Sequence, residues 1–137
     1  MPRRAVPSPK GFVDRSVGDQ LTDREADIMR VLWERGPSSV AEVRAALKNR
    51  LAHTTVQTML RILESKGFAG HEEEGRQHRF YAAVPETAAR QSALRHLMAK
   101  LFRGSSELLL TQLVSDQKLT PAQIRRMRKL LSQGDKE

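Results

Sequence analysis

The sequence predicts a mainly α-helical fold with one small β-hairpin, and three observations support this prediction. Two short amphipathic segments follow one another between residues 39 and 65, as in a helix-turn-helix. The stretch from residue 68 to residue 83 alternates as strands do, around a Gly-Arg turn. From residue 86 onward, apolar residues recur at helical spacing. The predicted organisation is a flexible N-terminal arm (1–20), a winged helix-turn-helix domain (21–85) and a helical C-terminal domain (86–137).

Composition limits the kind of protein. Of the 137 residues, 39% are hydrophobic and 29% are charged, which is typical of a globular chain. The absence of cysteine excludes disulfides, thiolate metal sites and cysteine nucleophiles. No apolar run approaches the roughly 20 residues that span a bilayer, and the N-terminus lacks the apolar core of a signal peptide. We therefore expect a cytoplasmic protein without membrane insertion.

The net charge of +8 favours a nucleic-acid interpretation, but the distribution of the charge matters. Residues 1–20 contain four basic and two acidic residues, residues 21–85 contain ten and nine, and residues 86–137 contain ten and five. The arm contains three prolines and two glycines without periodicity. It is either a basic tail that contacts DNA or, in the interpretation that we favour, a disordered leader. The placement of the cations is therefore more informative than their number.

The first helix is predicted from its two ends. Thr22-Asp-Arg-Glu25 is a capping box, in which the hydroxyl and the carboxylate satisfy free amide groups, and Gly36-Pro37 ends the helix. Trp33 lies on its apolar side, so we expect a core anchor rather than a residue that stacks on bases. The other residues of the apolar side are Ala26, Met29, Val31 and Leu32.

The second helix begins at another capping box, Ser39-Val-Ala-Glu42. Its inward residues are Val40, Val43, Ala46 and Leu47, and its outward cations are Arg44, Lys48 and Arg50. Residues 49–53 form the connection to a third helix, which we expect His53 or Thr54 to cap.

The third helix has an unusual outer face. Its apolar stripe consists of Val56, Met59, Leu60 and Leu63; the opposite stripe consists of Thr54, Thr58, Arg61 and Ser65, with Gln57 at its edge. An ordinary solvated face carries Glu and Lys, whereas hydroxyls, an amide and one Arg can contact base edges in a major groove. This face therefore predicts DNA recognition, and an ordinary surface helix with polar filler is the alternative. The predicted base-contacting residues are Thr54, Gln57, Thr58 and Arg61.

A hairpin follows Gly67, which ends the third helix. Strands over 68–74 and 77–83 around Gly75-Arg76 would pair Glu72 with Arg79 and Glu73 with His78. A metal site at the acidic run, with His71 and His78, is disfavoured because successive strand residues point to opposite faces. The hairpin is thus the wing of a winged helix. The predicted phosphate-contacting residues of the second helix and the wing are Arg44, Lys48, Arg76 and Arg79.

Three further helices are predicted after residue 86. Gly104 interrupts the first apolar stripe, Ser106 begins a Leu-rich helix, and Thr120-Pro-Ala-Gln123 is a third capping box. The last helix turns four apolar residues inward (Ile124, Met127, Leu130, Leu131) and four cations outward (Arg125, Arg126, Arg128, Lys129).

About fifty residues cannot close a satisfactory core alone, so pairing with a second copy is expected. The alternative is that these helices pack on the winged helix of the same chain. The predicted dimerisation residues are Leu94, Leu97, Met98, Leu101, Phe102, Leu109, Leu113, Ile124, Met127 and Leu131.

Residues 21–132 resemble the BlaI/MecI/CopY family of penicillinase-repressor-type transcriptional regulators. The resemblance is carried by the Met-x-x-x-Trp of the first helix, the Thr-Val-x-Thr of the third, the EGRQHRFY wing and the Phe-x-Gly-Ser before the Leu-rich helix. It implies a homodimeric repressor that binds a palindromic operator. It also implies induction by a membrane-bound sensor protease that cuts within the Leu-rich helix, here near Gln112-Leu113.

The sequence departs from the family pattern in three places. Family members usually carry Arg where this chain has Ile62, and the Arg is instead Arg61, so operator preference is expected to differ. The usual Asn-Phe at the cleavage position is Gln112-Leu113. The paired Cys motifs of the copper-responsive branch are absent, which excludes copper or zinc sensing through such a site.

The sequence therefore predicts a DNA-binding repressor without a cofactor or a metal. A winged helix used as a protein-docking module is the alternative, but a docking face should be apolar and the outer face of residues 54–65 is not. An enzyme is disfavoured because the four histidines are dispersed, no glycine-rich phosphate loop exists and no nucleophile lies beside a base, so no catalytic residue is predicted.

Overall fold

The computed structural model describes residues 20–134, and most of the predicted arm lies outside the described residues. The elements are α1 (Asp23–Arg35), β1 (Ser38–Ser39), α2 (Val40–Ala46), α3 (His53–Ser65), β2 (Ala69–Glu74), β3 (Gln77–Ala82), α4 (Glu86–Leu101), α5 (Ser106–Asp116) and α6 (Pro121–Gly134). The chain divides into two compact units between His96 and Leu97. Within the described range, no helix is both long and apolar enough to span a membrane.

All three predicted capping boxes are confirmed. Thr22 Oγ1 accepts from the Glu25 N–H at 3.2 Å, and the Glu25 carboxylate accepts from the Thr22 N–H at 2.9 Å. The same reciprocal pair joins Ser39 with Glu42 and Thr120 with Gln123. Each box satisfies amide groups that have no partner inside the helix, which is why α1, α2 and α6 begin where the sequence predicted.

Ala46 was predicted to face inward, and that prediction was wrong. α2 ends at Ala46, which is exposed, whereas Val43 is fully buried. The helix has only about two turns. Its last residue therefore lies directly before the connection to α3, which is exposed at residues 48–50.

The winged helix is confirmed, with one strand more than the hairpin that the sequence predicted. β2 and β3 pair antiparallel in the predicted register, with Glu72 opposite Arg79 and Glu73 opposite His78. Gly75 has φ of 64° at the first position of the two-residue turn, as a type II′ turn requires. The additional strand β1 pairs Ser38 with Phe80 on the other edge of β3, so the sheet order is β1-β3-β2.

The core of the first unit lies between the three helices and the sheet. Its fully buried side chains come from α1, α2, α3 and β3: Ile28, Met29, Val43, Val56, Leu60, Leu63 and Phe80. Trp33 packs against this cluster, and its indole N–H donates to Val84 O at 2.9 Å, as expected for a core anchor. This bond ties the end of the wing to α1.

Two interactions hold the C-terminal end of α3. Gly67, with φ of 89°, allows a Schellman motif in which the Phe68 N–H donates to Leu63 O at 3.0 Å. Lys66 Nζ lies 2.8 Å from the Glu25 carboxylate, and the exposed fractions of the two side chains are 19% and 6%. This largely buried ion pair joins the end of α3 to the start of α1.

The Glu25–Lys66 pair makes stability depend on pH. Burial alone would raise the pKa of Glu25, but the hydrogen bonds from Lys66 and the Thr22 N–H outweigh it and lower the pKa below its ordinary value. A carboxyl with a lowered folded-state pKa contributes stability that is present above its unfolded-state pKa. That stability is lost as the pH falls through the folded-state pKa.

Glu25→Gln should lower the free energy of unfolding at pH 7 by about 2 kcal/mol, because it leaves the Lys66 ammonium largely buried without its counter-charge. The difference from the wild type should shrink as the pH falls from the ordinary pKa of a glutamate towards the lowered folded-state pKa of Glu25. Urea denaturation at several pH values measures both effects. The matched control is Asp27→Asn, since the exposed Asp27–Arg30 pair should contribute less than about 1 kcal/mol. Equal losses in the two variants would contradict this role for the buried pair.

Candidate nucleic-acid interface

Helix α3 turns a polar face outward. Val56, Leu60 and Leu63 are completely buried on its inner side. On the outer side Thr54, Thr58 and Arg61 are exposed, and Gln57 is half-buried at the edge. The predicted base-contacting residues thus share one accessible face of α3. The buried residues on the other side determine which face is accessible.

The start of α3 differs from the prediction. Ala52 occupies the N-cap position, and no side chain caps the helix. His53 is already the first helical residue, so the expectation that His53 or Thr54 caps α3 was wrong. An alanine has no side-chain acceptor for the first amide groups.

Three cations of α2 and its connection to α3 lie together. Arg44, Lys48 and Arg50 are all exposed and line one open cleft. Arg44 Nε also donates to Leu51 O at 2.7 Å, which holds the guanidinium against the connection between the two helices. The sequence predicted Arg44 as a phosphate contact but gave no indication of this bond.

The wing tip lies beside α3. Arg76, in the turn between β2 and β3, lines a cleft together with Gln57 and His53 of α3. Arg76 is exposed. A predicted base contact and a predicted phosphate contact therefore open on the same side of the first unit.

Arg79 is placed differently from the other predicted phosphate contacts. Its three guanidinium nitrogens face protein oxygens: Pro37 O at 2.7 Å, Glu42 Oε1 at 3.1 Å and Glu74 Oε2 at 3.3 Å. These three partners leave two of the five guanidinium N–H donors, so a phosphate contact by Arg79 would have to use those two or exchange a partner. The structure thus shows Arg79 joining β3 to α2, to the other wing strand and to the segment after α1.

Glu42 is the anionic centre of this network. Besides Arg79, its carboxylate accepts from the Ser39 N–H at 2.9 Å and lies 3.7 Å from Arg35. The backbone hydrogen bond from Ser39 lowers the pKa of Glu42 below its ordinary value, burial opposes the shift, and Arg79 and Arg35 reinforce it. The capping box was predictable from sequence, but its use as a wing anchor was not.

Histidines on the inner face of the wing lie close together. The rings of His71 and His78 stack with centroids 4.6 Å apart, and His71 Nδ1 lies 2.6 Å from Glu64 Oε2 of α3. In the part of the chain that the structure describes, no group of three or more His, Asp or Glu residues is arranged to hold a metal ion.

The predicted dimerisation residues are largely exposed in the single chain. Leu94, Leu97, Leu101, Leu113, Ile124 and Leu131 are exposed, and Met98, Phe102, Leu109 and Met127 are half-buried. Leu130, on the same stripe of α6, is 66% exposed. At the predicted cleavage position in α5, both Gln112 and Leu113 are exposed, and the Gln112 amide donates to Asp116.

Comparison with known proteins gives a consistent result. Residues 21–133 match the sequence profile described as penicillinase repressor. The chain is similar to the penicillinase repressor of Bacillus licheniformis, at 22% identity over 116 residues that cover 83% of this chain and 91% of that protein. It is also similar to an uncharacterised 16.5 kDa protein of Latilactobacillus sakei, at 28% identity over 83% of this chain and 80% of that protein. The homodimeric winged helix-turn-helix DNA-binding domain of a possible ArsR-family regulator from Mycobacterium bovis aligns with a TM-score of 0.44 and 27% identity, covering 57% of this chain and 68% of the domain.

If Arg79 holds the wing, Arg79→Gln should loosen β2 and β3 without unfolding the helices. Loss of its charge-assisted hydrogen bonds should accelerate amide hydrogen exchange in the wing about tenfold, while exchange in α1 and α3 stays unchanged. The matched control is Arg76→Gln, which removes the same charge from the exposed turn. A wing that exchanges equally fast in both variants would show that Arg79 does not anchor it.

Proposed function

The chain belongs to the penicillinase repressor family, and from that premise we propose a homodimeric repressor that binds a palindromic operator through α3 and the wing. The protein is a DNA-binding transcriptional repressor and not an enzyme. The observation that supports the finer proposal best is the outer face of α3, where hydroxyls, an amide and one guanidinium lie opposite a completely buried stripe. A helix with this distribution of side chains can enter a major groove with its polar side towards the bases.

We assign base contacts to Thr54, Gln57, Thr58 and Arg61. The Arg61 guanidinium can donate two hydrogen bonds to guanine, and a threonine can bond a base edge or contact a thymine methyl. Both threonine side chains and Arg61 are exposed. These groups therefore need no rearrangement of the core to reach a base.

We assign phosphate contacts to Arg44, Lys48 and Arg76. They flank α3 on two sides, since two of them line the cleft at the α2–α3 connection and the third lies in the wing turn. Such contacts orient a protein on the duplex but carry little sequence information. We propose that Arg79 anchors the wing, and a phosphate contact by Arg79 is the alternative.

Arg61→Ala should weaken binding to the preferred operator by about 1 to 3 kcal/mol and relax the preference at one position in each half-site. The matched control is Arg76→Gln, which should weaken binding to all sequences alike and reduce the salt dependence by about one unit. Selection from randomised duplexes, followed by titration at several salt concentrations, measures both effects. An Arg61→Ala protein that selects the wild-type sequence would contradict the assignment.

We propose that the second copy covers the apolar stripes of α4, α5 and α6. Full burial of one leucine side chain contributes about 1.5 to 3 kcal/mol, so exposure of so many leaves a large driving force for pairing. A two-fold dimer would present two α3 helices to half-sites about 34 Å apart, or a multiple of that spacing. The two-fold symmetry of such a dimer would make the operator palindromic.

Leu97→Asp should weaken dimerisation and operator binding together, because it places a charge inside the proposed interface. The matched control is Ala99→Asp, which adds the same charge to an exposed position on the other side of α4. Analytical ultracentrifugation and operator titration of both variants provide the test. A wild-type monomer at micromolar concentration would contradict the dimer.

We further propose that loss of the C-terminal helices releases the operator. A dimer holds its second half-site at a high effective concentration, and this advantage disappears when the two copies separate. Gln112 and Leu113 are exposed in α5, which makes the segment accessible to a membrane-bound sensor protease once it opens locally.

On exposure of the host to a cell-wall-active compound, the intact chain should decrease on an immunoblot and an N-terminal fragment ending near Gln112 should appear. Leu113→Pro is unsuitable as a probe because it would break α5. A full-length protein of constant abundance during derepression would rule out proteolytic release.

A further inference from the structure

Ile62 places a large apolar side chain on the surface of α3. Its side chain is 41% exposed, and across residues 20–93 it is the one large apolar side chain of the described chain that is exposed. The other large apolar residues of this range are buried or half-buried, and the next exposed one, Leu94, belongs to the apolar stripe of α4. A single exposed isoleucine is common on protein surfaces, so its position beside the polar face of α3 matters more than its exposure.

Ile62 extends the polar face of α3. Thr54, Thr58 and Ile62 follow one another at intervals of four residues, so they form a single row along the helix with steps of about 6 Å. Arg61 precedes Ile62 in the chain and lies about 100° from it around the helix, with Thr58 between them. A base that Thr58 contacts is therefore within reach of Ile62.

The position of Ile62 is rigid. Its carbonyl accepts from the Lys66 N–H and the Ser65 hydroxyl, both at 2.9 Å, and Lys66 is held by Glu25. A β-branched side chain in a helix has one strongly preferred χ1 rotamer. Little conformational entropy is thus lost when Ile62 is covered by a ligand.

We propose that Ile62 recognises the C5-methyl group of a thymine in the major groove. This inference rests on the proposed function, since it assumes that the outer face of α3 contacts bases. Thymine alone among the four DNA bases presents a methyl group there. A side chain without donors or acceptors distinguishes thymine by covering this methyl group, whereas the exocyclic amine of cytosine would lose its hydrogen bonds against the sec-butyl side chain of Ile62.

The test uses the duplex that the wild-type chain selects from randomised DNA, with each thymine replaced in turn by deoxyuridine. The replacement removes only the methyl group and leaves the hydrogen-bonding edge unchanged. At one thymine position in each half-site, a single replacement should weaken wild-type binding about fourfold. This is the value expected for one buried methyl group. Ile62→Ala should bind both duplexes equally, and Ile62→Val should retain part of the difference.

Arg61→Ala is the matched control, because it removes the adjacent side chain and should remain sensitive to the same deoxyuridine. Thermal unfolding of Ile62→Ala should match that of the wild type, since the side chain lies outside the core. If the wild type selects no sequence, the proposed function fails, and with it this inference. If it selects a sequence but no deoxyuridine weakens binding, or Ile62→Ala remains sensitive at every position, the inference alone is overturned.

Discussion

Complete burial of Val56, Leu60 and Leu63 is the constraint on which the rest of the interface depends. These residues occupy one side of α3 and pack against α1, α2 and the sheet. Rotation of α3 by one residue, about 100°, would expose part of this stripe and bury Thr58 or Arg61 in its place. Because each buried leucine or valine contributes about 1.5 to 3 kcal/mol, and an unpaired buried guanidinium costs more, the rotation of α3 is fixed. The polar face is thus outward as a consequence of packing.

Two ion pairs then position the elements that flank α3. The Glu25–Lys66 pair is largely buried and links the end of α3 to the start of α1, two elements that are far apart in sequence. The Glu42–Arg79 pair is more exposed and links the wing to α2. Because the Glu25–Lys66 pair is buried, its loss would mainly lower the free energy of unfolding. The Glu42–Arg79 pair mainly determines where the wing lies.

The C-terminal helices differ from α3, because most of their apolar side chains are not buried in the single chain. The N-termini of α5 and α6 are capped, since Ser105 and Thr120 both accept a backbone N–H there. The apolar residues that remain exposed in the single chain include Leu101 of α4 and Leu130 of α6. Local sequence can therefore form these helices while leaving their apolar residues exposed within the C-terminal unit. This exposure is the physical basis for proposing a second copy, and a dimeric repressor would make operator binding depend on protein concentration.

The sequence by itself determined the features that depend on neighbouring residues. The three capping boxes each join residues three positions apart, and the two-residue turn at Gly75 sets the register of β2 against β3. The periodicity of α3 was sufficient to separate Val56 and Leu60 from Thr54 and Thr58, because one face of a helix is a local property.

The tertiary structure decided the features that join distant residues. β1 consists of two serines with no strand propensity of their own, and it exists because β3 offers a free edge beside it. Arg79 appeared in the sequence only as one more cation of the wing, and Pro37 and Glu42 became its partners through folding across about forty residues. The uncapped start of α3 and the exposure of Ile62 likewise follow from where α3 packs. Such contacts depend on the whole arrangement of the chain, which is why periodicity and spacing could not predict them.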